Sequence, residues 1–150
     1  RVPLIVRAPG AAANGNRCNR LVEFVDIFPT LCDLAGLESP AELEGTSFTP
    51  LLDDSQRSWK SAVFSQFLRE GVWVGRDGIE YMGYAVRTDQ YRYVTWVDQE
   101  SGEIAARELY ERGSDPGENV NLAERPEYAQ TLAVLEAVRQ AGWRAALPKH

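Results

Sequence analysis

The sequence predicts an α+β domain in which an antiparallel sheet of about four strands packs against a C-terminal helix. Two patterns and one composition carry that prediction. Tyr84 and Val86 alternate against Arg87, and Tyr91, Tyr93, Thr95 and Val97 alternate against Arg92, Val94 and Trp96, the period of two of half-buried strands. Beyond Pro126, Tyr128, Leu132, Leu135 and Val138 recur at spacings of four and three, which places them on one face of a helix. The 150 residues, 44% hydrophobic and 25% charged, suffice for one real core and are far from the signature of disorder.

Taken in order, residues 1–9 open with Val2-Pro3-Leu4-Ile5-Val6, a strand-like run that Pro3 confines to a strand start or a sheet edge. A Gly/Ala/Asn loop over 10–20 leads to a short strand-like run at 21–25. Asp26 then offers a side-chain oxygen to the first turn of a helix over Ile27–Ala35, with Pro29 inside that turn and Gly36 as the left-handed terminator. That helix is expected to bury Phe28, Leu31, Cys32 and Ala35. Pro40, Gly45 and Pro50 make residues 37–60 an extended connection with short turns.

A strand over 62–67 follows, then a loop from Gln66 to Met82 carrying Gly71, Gly75 and Gly78 around Trp73. The two aromatic strands meet at Thr88-Asp89-Gln90, and a last strand covers 107–110. Ser114-Asp115-Pro116-Gly117 closes the sheet with a turn, because Pro116 presets φ and Gly117 tolerates positive φ. The final helix is expected to cover the sheet and end near Leu147-Pro148, with Gly142 weakening its last turns.

The charge balance argues against a nucleic-acid partner, since 16 Lys and Arg are scattered among 22 Asp and Glu for a net charge of −6. Apolar runs are only a few residues long, well short of the roughly 20 that span a bilayer, so no membrane partner is expected. His150, the one histidine, is the last residue, which disfavours a Ser-His-Asp triad and most zinc sites. No phosphate loop is present. Cys18 and Cys32 read as two free thiols, Cys32 as a small buried hydrophobe. The carboxylates Asp53, Asp54, Glu108, Glu111, Asp115 and Glu118 read as solvated turn charges, with none assigned to a metal.

Three blocks go further. Arg1-Val2-Pro3-Leu4-Ile5 opens the chain; Val25-Asp26-Ile27-Phe28-Pro29-Thr30-Leu31 runs on to Ala35-Gly36 and then Glu44-Gly45-Thr46-Ser47 to Leu52. The aromatic strands are followed by Glu108-Leu109-Tyr110 and Asp115-Pro116-Gly117-Glu118-Asn119-Val120-Asn121-Leu122. Together these resemble the C-terminal part of type I sulfatases of the alkaline-phosphatase superfamily, most closely the iduronate-2-sulfatase-like branch. The resemblance implies that residues 1–36 are the last strand, loop and helix of a large α/β catalytic domain, that 37–60 connect, and that 61–150 form the small C-terminal subdomain. It implies a parent sulfuric ester hydrolase that uses calcium and a formylglycine, partnered by its own N-terminal catalytic part and a sulfated saccharide, in an exported setting.

No catalytic or metal residue carries over. The nucleophile motif C/S-x-P/A-x-R has no match, as Cys18 is followed by Asn19-Arg20-Leu21 and Cys32 by Asp33-Leu34-Ala35. The start at Arg1, without Met, reads as the interior of a longer polypeptide, and this chain alone is expected to be inactive and to hold no cofactor. It is also expected to leave residues 1–9 and the helix Ile27–Ala35 with an uncovered apolar surface where the large domain is absent. Gln66, Arg69, Trp73 and Arg76 are the candidate substrate-binding residues: an amide, two guanidinium groups suited to sulfate or carboxylate, and an aromatic face for a sugar ring. The alternatives are a fragment of a related phosphodiesterase or phosphonate hydrolase, and a freestanding module that binds carbohydrate or protein through aromatics such as Trp73 and Tyr81.

Overall fold

Antiparallel pairing organises the larger part of the chain: a computed structural model describes residues 2–69 and 78–148, and the chain divides into two units, 1–60 with 147–150 and 61–146. The first unit is built around helix α1, Ile27–Ala35, which ends as expected at Gly36 in the left-handed region with φ 67°. The N–H of Leu37 bonds Cys32 O at 2.9 Å, closing the last turn.

Its start differs from the expectation. Asp26 makes no side-chain cap to the helix, and residues Phe24–Asp26 form a 3₁₀ turn rather than the end of a strand. The Asp26 carboxylate is fully buried and is used elsewhere. One oxygen accepts from Thr46 N at 2.9 Å and Lys60 Nζ at 2.7 Å; the other accepts from Glu23 N and from Lys60 Nζ, each at 2.9 Å. Thr30 completes the knot, donating its hydroxyl to Asp26 O at 2.6 Å and accepting from Phe48 N at 2.9 Å. Gly45 is required here because a Cβ on it would lie 1.9 Å from Val25 O.

The knot turns α1 around. Pro29, Thr30 and Cys32 face inward, so of the four residues expected to be buried only Cys32 is; Phe28, Leu31 and Ala35 are exposed. A buried polar group must be hydrogen-bonded, and the bonds available to Asp26 and Thr30 decide which side of the helix lies inward. The connection 37–60 contains a short helix α2, Thr49–Asp53, with Pro50 in its first turn, where the run was read as extended. Residues 2–7 form no strand, because among the described residues no neighbouring strand supplies the other half of a ladder.

The second unit is a four-stranded antiparallel sheet in the order β1-β2-β3-β4, with β1 Val63–Arg69, β2 Tyr81–Arg87, β3 Tyr91–Asp98 and β4 Ile104–Glu111. The β2–β3 turn falls at residues 88–90, as the alternation requires, and β4 is longer than the predicted 107–110. On one face lie Tyr84, Val86, Tyr93 and Leu109, and there α3, Ala129–Ala141, packs with Leu132 and Leu135. Tyr93, Leu109 and Val86 are fully buried. The helix stops at Ala141, short of the predicted 147, because Gly142 takes φ 77° and a 3₁₀ turn, Trp143–Ala146, follows. Ala146 is buried with Ala62 and Val86, and its carbonyl accepts from Ser61 N at 3.2 Å.

Candidate functional site

Of the four candidate substrate residues, Gln66 and Arg69 lie on β1 and Trp73 and Arg76 lie outside the described residues. The loop expected from Gln66 to Met82 is shorter at both ends, since Gln66 through Arg69 pair with Tyr84 through Tyr81. Three positions apart on a strand, Gln66 and Arg69 point to opposite faces of the sheet. Gln66 pairs with Tyr84 on the helix-covered side, and Arg69 stands over the Trp96 ring, 5.7 Å from its centroid, on the other.

That other face carries a continuous chain of polar contacts which the sequence reading did not identify. Trp96 Nε1 donates to Glu108 Oε1 at 2.8 Å, and Tyr110 Oη donates to Glu108 Oε2 at 3.1 Å. Arg92 lies over the Tyr110 ring at 5.1 Å from its centroid and pairs with Glu118 at 2.6 Å. The signal in the sequence was the period of two itself: Arg92, Val94, Trp96 on β3 and Glu108, Tyr110 on β4 share one face. Burial, and then the negative charge of Glu108, pushes the Tyr110 phenol up, so it is a hydrogen-bond donor at neutral pH. Small residues sit in the middle of this face, and Ser65, Phe67, Gly83, Arg92, Trp96 and Glu108 line a shallow hollow of about 240 Å³. Gly83 leaves the space that the Trp96 ring fills, since a Cβ there would lie 2.8 Å from Cζ3.

The turn after β4 holds Glu118 at φ 54°, in the left-handed region. Asp115 fixes it: its carboxylate accepts from Asn119 N at 2.6 Å, Val120 N at 2.8 Å and Asn119 Nδ2 at 2.9 Å. These bonds, that from Val120 first, hold the Asp115 carboxyl below the usual range. Asn121 then lies along the outer edge of β4, accepting from Leu109 N at 2.9 Å and donating to Arg107 O at 3.1 Å, while Leu122 N bonds Leu109 O at 2.8 Å. The aspartate, the asparagine and the glutamates of this block therefore hold the turn and the sheet edge.

Among the described residues no group of three or more His, Cys, Asp or Glu is placed to hold a metal ion. Both cysteines are free, Cys18 exposed and Cys32 buried, and neither begins the C/S-x-P/A-x-R motif. Ser114-Asp115-Pro116-Gly117-Glu118 has that spacing but ends in a glutamate in place of the arginine, and Ser114 Oγ donates to Glu111 at 2.6 Å. Among the described residues, then, no cluster is placed to hold the calcium that the resemblance implies for a parent enzyme, and neither cysteine stands in the motif that formylglycine formation would use. No helix among the described residues is long and apolar enough to cross a membrane.

The match of a family model, over a chain built on a four-stranded antiparallel sheet with one helix-covered face, shows this to be a sulfatase C-terminal domain. It belongs to the N-sulphoglucosamine sulphohydrolase, C-terminal family, whose model matches residues 1–141. It is 36% identical over 135 residues to the Delta 4,5-hexuronate-2-O-sulfatase of Bacteroides thetaiotaomicron, covering 88% of this chain and 26% of that protein. Human arylsulfatase K is 31% identical over 136 residues, covering 87% of this chain and 24% of its own length. A solved structure of a candidate sulfatase from Bacteroides thetaiotaomicron superposes with a TM-score of 0.62 at 35% identity, covering 77% of this chain and 23% of that one. The chain thus spans about a quarter of the length of the curated relatives it matches.

Proposed function

We propose that this chain is the C-terminal part of a sulfatase that hydrolyses the sulfate ester of a sulfated sugar, of the iduronate-2-sulfatase-like type. The supporting observation is the family match over nearly the whole chain, joined to its likeness to a relative named for a hexuronate 2-O-sulfate. In this reading the nucleophile, to be converted to formylglycine, and the calcium ligands belong to an N-terminal catalytic part. That part is also this chain's principal partner. The role left to these residues is support and substrate selection. Arg69 on β1 offers its guanidinium to the saccharide from the open face of the sheet, where Trp96 fixes it, and Trp73 and Arg76, next along the sequence, add an aromatic and a second cationic group; Gln66, on the opposite face, does not share that surface.

Bond cleavage at sulfur needs a nucleophile and charge neutralisation at the sulfate oxygens, and this reading assigns both to the N-terminal part. The 150-residue chain, incubated with an aryl sulfate and calcium, should give no turnover above the buffer blank. The longer polypeptide translated from the same gene should cleave a 2-O-sulfated uronic-acid disaccharide. Turnover by the short chain that survives repurification, or a gene without a sulfatase-like sequence ahead of residue 1, would sink the proposal.

A further inference from the structure

Residues 13–16 form a turn closed by Asn16 N on Ala13 O at 2.9 Å, with Asn14 and Gly15 in its middle. Gly15 takes φ 86°, the positive value that a type II turn asks of its third residue, and a Cβ built there meets nothing within 4 Å. Among the described residues its N–H has no hydrogen-bond partner. The Asn14 side chain acts as a strand would: Ala8 N donates to its Oδ1 at 3.3 Å, and its Nδ2 donates to Ala8 O. Ala8 is only 4% exposed, so this amide ties the opening run to the loop at a buried point. Asn119 and Asn121 are placed differently. The N–H that follows Asn119, on Val120, is held by the Asp115 carboxylate at 2.8 Å, and the one that follows Asn121, on Leu122, is held by Leu109 O at 2.8 Å. Valine and leucine also crowd the approach to their own nitrogens, which glycine does not.

We propose that Asn14 is a modification site, converted without an enzyme to aspartate and isoaspartate, and that the conversion unties Ala8. The Gly15 N–H gives its proton to hydroxide, the nitrogen bonds to Asn14 Cγ, the Cγ–Nδ2 bond breaks, and Nδ2 leaves as ammonia with a proton from water. The Ala8 N–H, already on Oδ1, stabilises the charge which that oxygen gains during the addition. Water then opens the cyclic imide at either carbonyl, giving aspartate at one and isoaspartate at the other. Both products lose the Nδ2 donor and set a carboxylate oxygen against Ala8 O. Isoaspartate also adds a methylene carbon to the backbone inside the turn. A buried pairing thereby becomes a confrontation of two acceptors, and the chain at Arg7 and Ala8 opens more often.

The test is ageing of the folded 150-residue chain at mildly alkaline pH, read by peptide mass mapping and by an isoaspartyl methyltransferase assay, beside a synthetic peptide of residues 10–20. Conversion at Asn14 should run within about tenfold of the rate in the peptide, and at least about a hundredfold faster than at Asn119 or Asn121, whose following N–H groups must first be released. The product should include isoaspartate, which forms only through the cyclic imide. Conversion at Asn14 as slow as at Asn121, or aspartate without isoaspartate, would overturn the proposal. Asn14→Gln, whose imide needs a larger ring, should stay unconverted over the same period, and equal conversion would count against the proposed route. Asn14→Asp supplies one product directly. Trypsin should cut it after Arg7 about tenfold faster than it cuts the parent, relative to cutting after Arg112 in the second unit. Equal cutting in the two would show that Ala8 stays tied and would overturn the structural half of the proposal.

Discussion

The indole N–H of Trp96 on β3 donates to the carboxylate of Glu108 on β4 at 2.8 Å, and the other oxygen of that carboxylate takes the hydroxyl of Tyr110. One side chain thus holds two aromatic rings in place on the face of the sheet that α3 leaves open. Glu108→Ala orphans both donors and should destabilise the chain by about 1–3 kcal/mol, while Glu108→Gln, which keeps one carbonyl oxygen, should cost less than half as much. Urea unfolding followed by tryptophan fluorescence reads the difference. Equal midpoints for both variants and the parent would show that the pair is idle.

Gly45 and Gly83 predict different outcomes for the same substitution. At Gly45 the obstacle is the Val25 carbonyl, 1.9 Å from an added Cβ, and a backbone atom cannot step aside. Gly45→Ala should cost more than about 3 kcal/mol and release the Asp26 knot. At Gly83 the obstacle is the Trp96 ring at 2.8 Å, which can tilt, so Gly83→Ala should cost about 1–3 kcal/mol and shift the Trp96 emission. Similar melting curves for the two variants would contradict this ordering.

Glu136 on α3 accepts from Arg139 Nε and an Arg139 terminal nitrogen at 2.9 and 2.7 Å, from Gln140 at 2.9 Å and from Tyr93 Oη at 3.0 Å. The Arg139 bonds foremost hold its carboxyl down to about 2. A folded pKa below the unfolded one contributes stability that is fully present above the unfolded value, near 4.5, and is lost as pH falls towards 2. Partial exposure screens the pair, so the contribution should be on the order of 1–2 kcal/mol. The stability gap between the parent chain and Glu136→Gln should therefore be open at about pH 6 and closed near pH 2. A gap that does not change with pH would refute the linkage.

In the longer polypeptide, Arg69→Ala should raise KM or lower kcat/KM for a sulfated uronic-acid oligosaccharide and spare a small aryl sulfate, since the bond-breaking groups lie elsewhere. Trp73→Ala should act in the same direction. Unchanged kinetics on both substrates for both variants would leave the sheet a purely structural role.

Much of the sheet was legible because Tyr84, Val86, Tyr91, Tyr93 and Leu132, Leu135 write their periods directly into the sequence, and burial follows period when one face packs on a helix. The first unit was not. Phe28 and Leu31 look like core residues by type, yet long-range bonds from Thr46, Phe48 and Lys60 to Asp26 and Thr30 set the helix the other way, and no local pattern encodes partners 18 to 34 positions distant. At the candidate site, the residue types were readable but the geometry was not. Gln66 and Arg69 look adjacent in a loop and are separated by the sheet once β1 runs through them.

Asn121 governs how the sheet meets other chains. By occupying the outer hydrogen bonds of β4 at Arg107 and Leu109, it denies that edge to any further strand, so the sheet carries its own stop against lateral growth on this side. Of the three bonds that make this stop, one is given by a single amide nitrogen. Deamidation to aspartate would replace the donor facing the Arg107 carbonyl with an oxygen, and two acceptors would then confront each other across the edge. Chemical ageing at a single asparagine would thus uncover the Arg107 carbonyl while Leu109 stays engaged through Leu122 N.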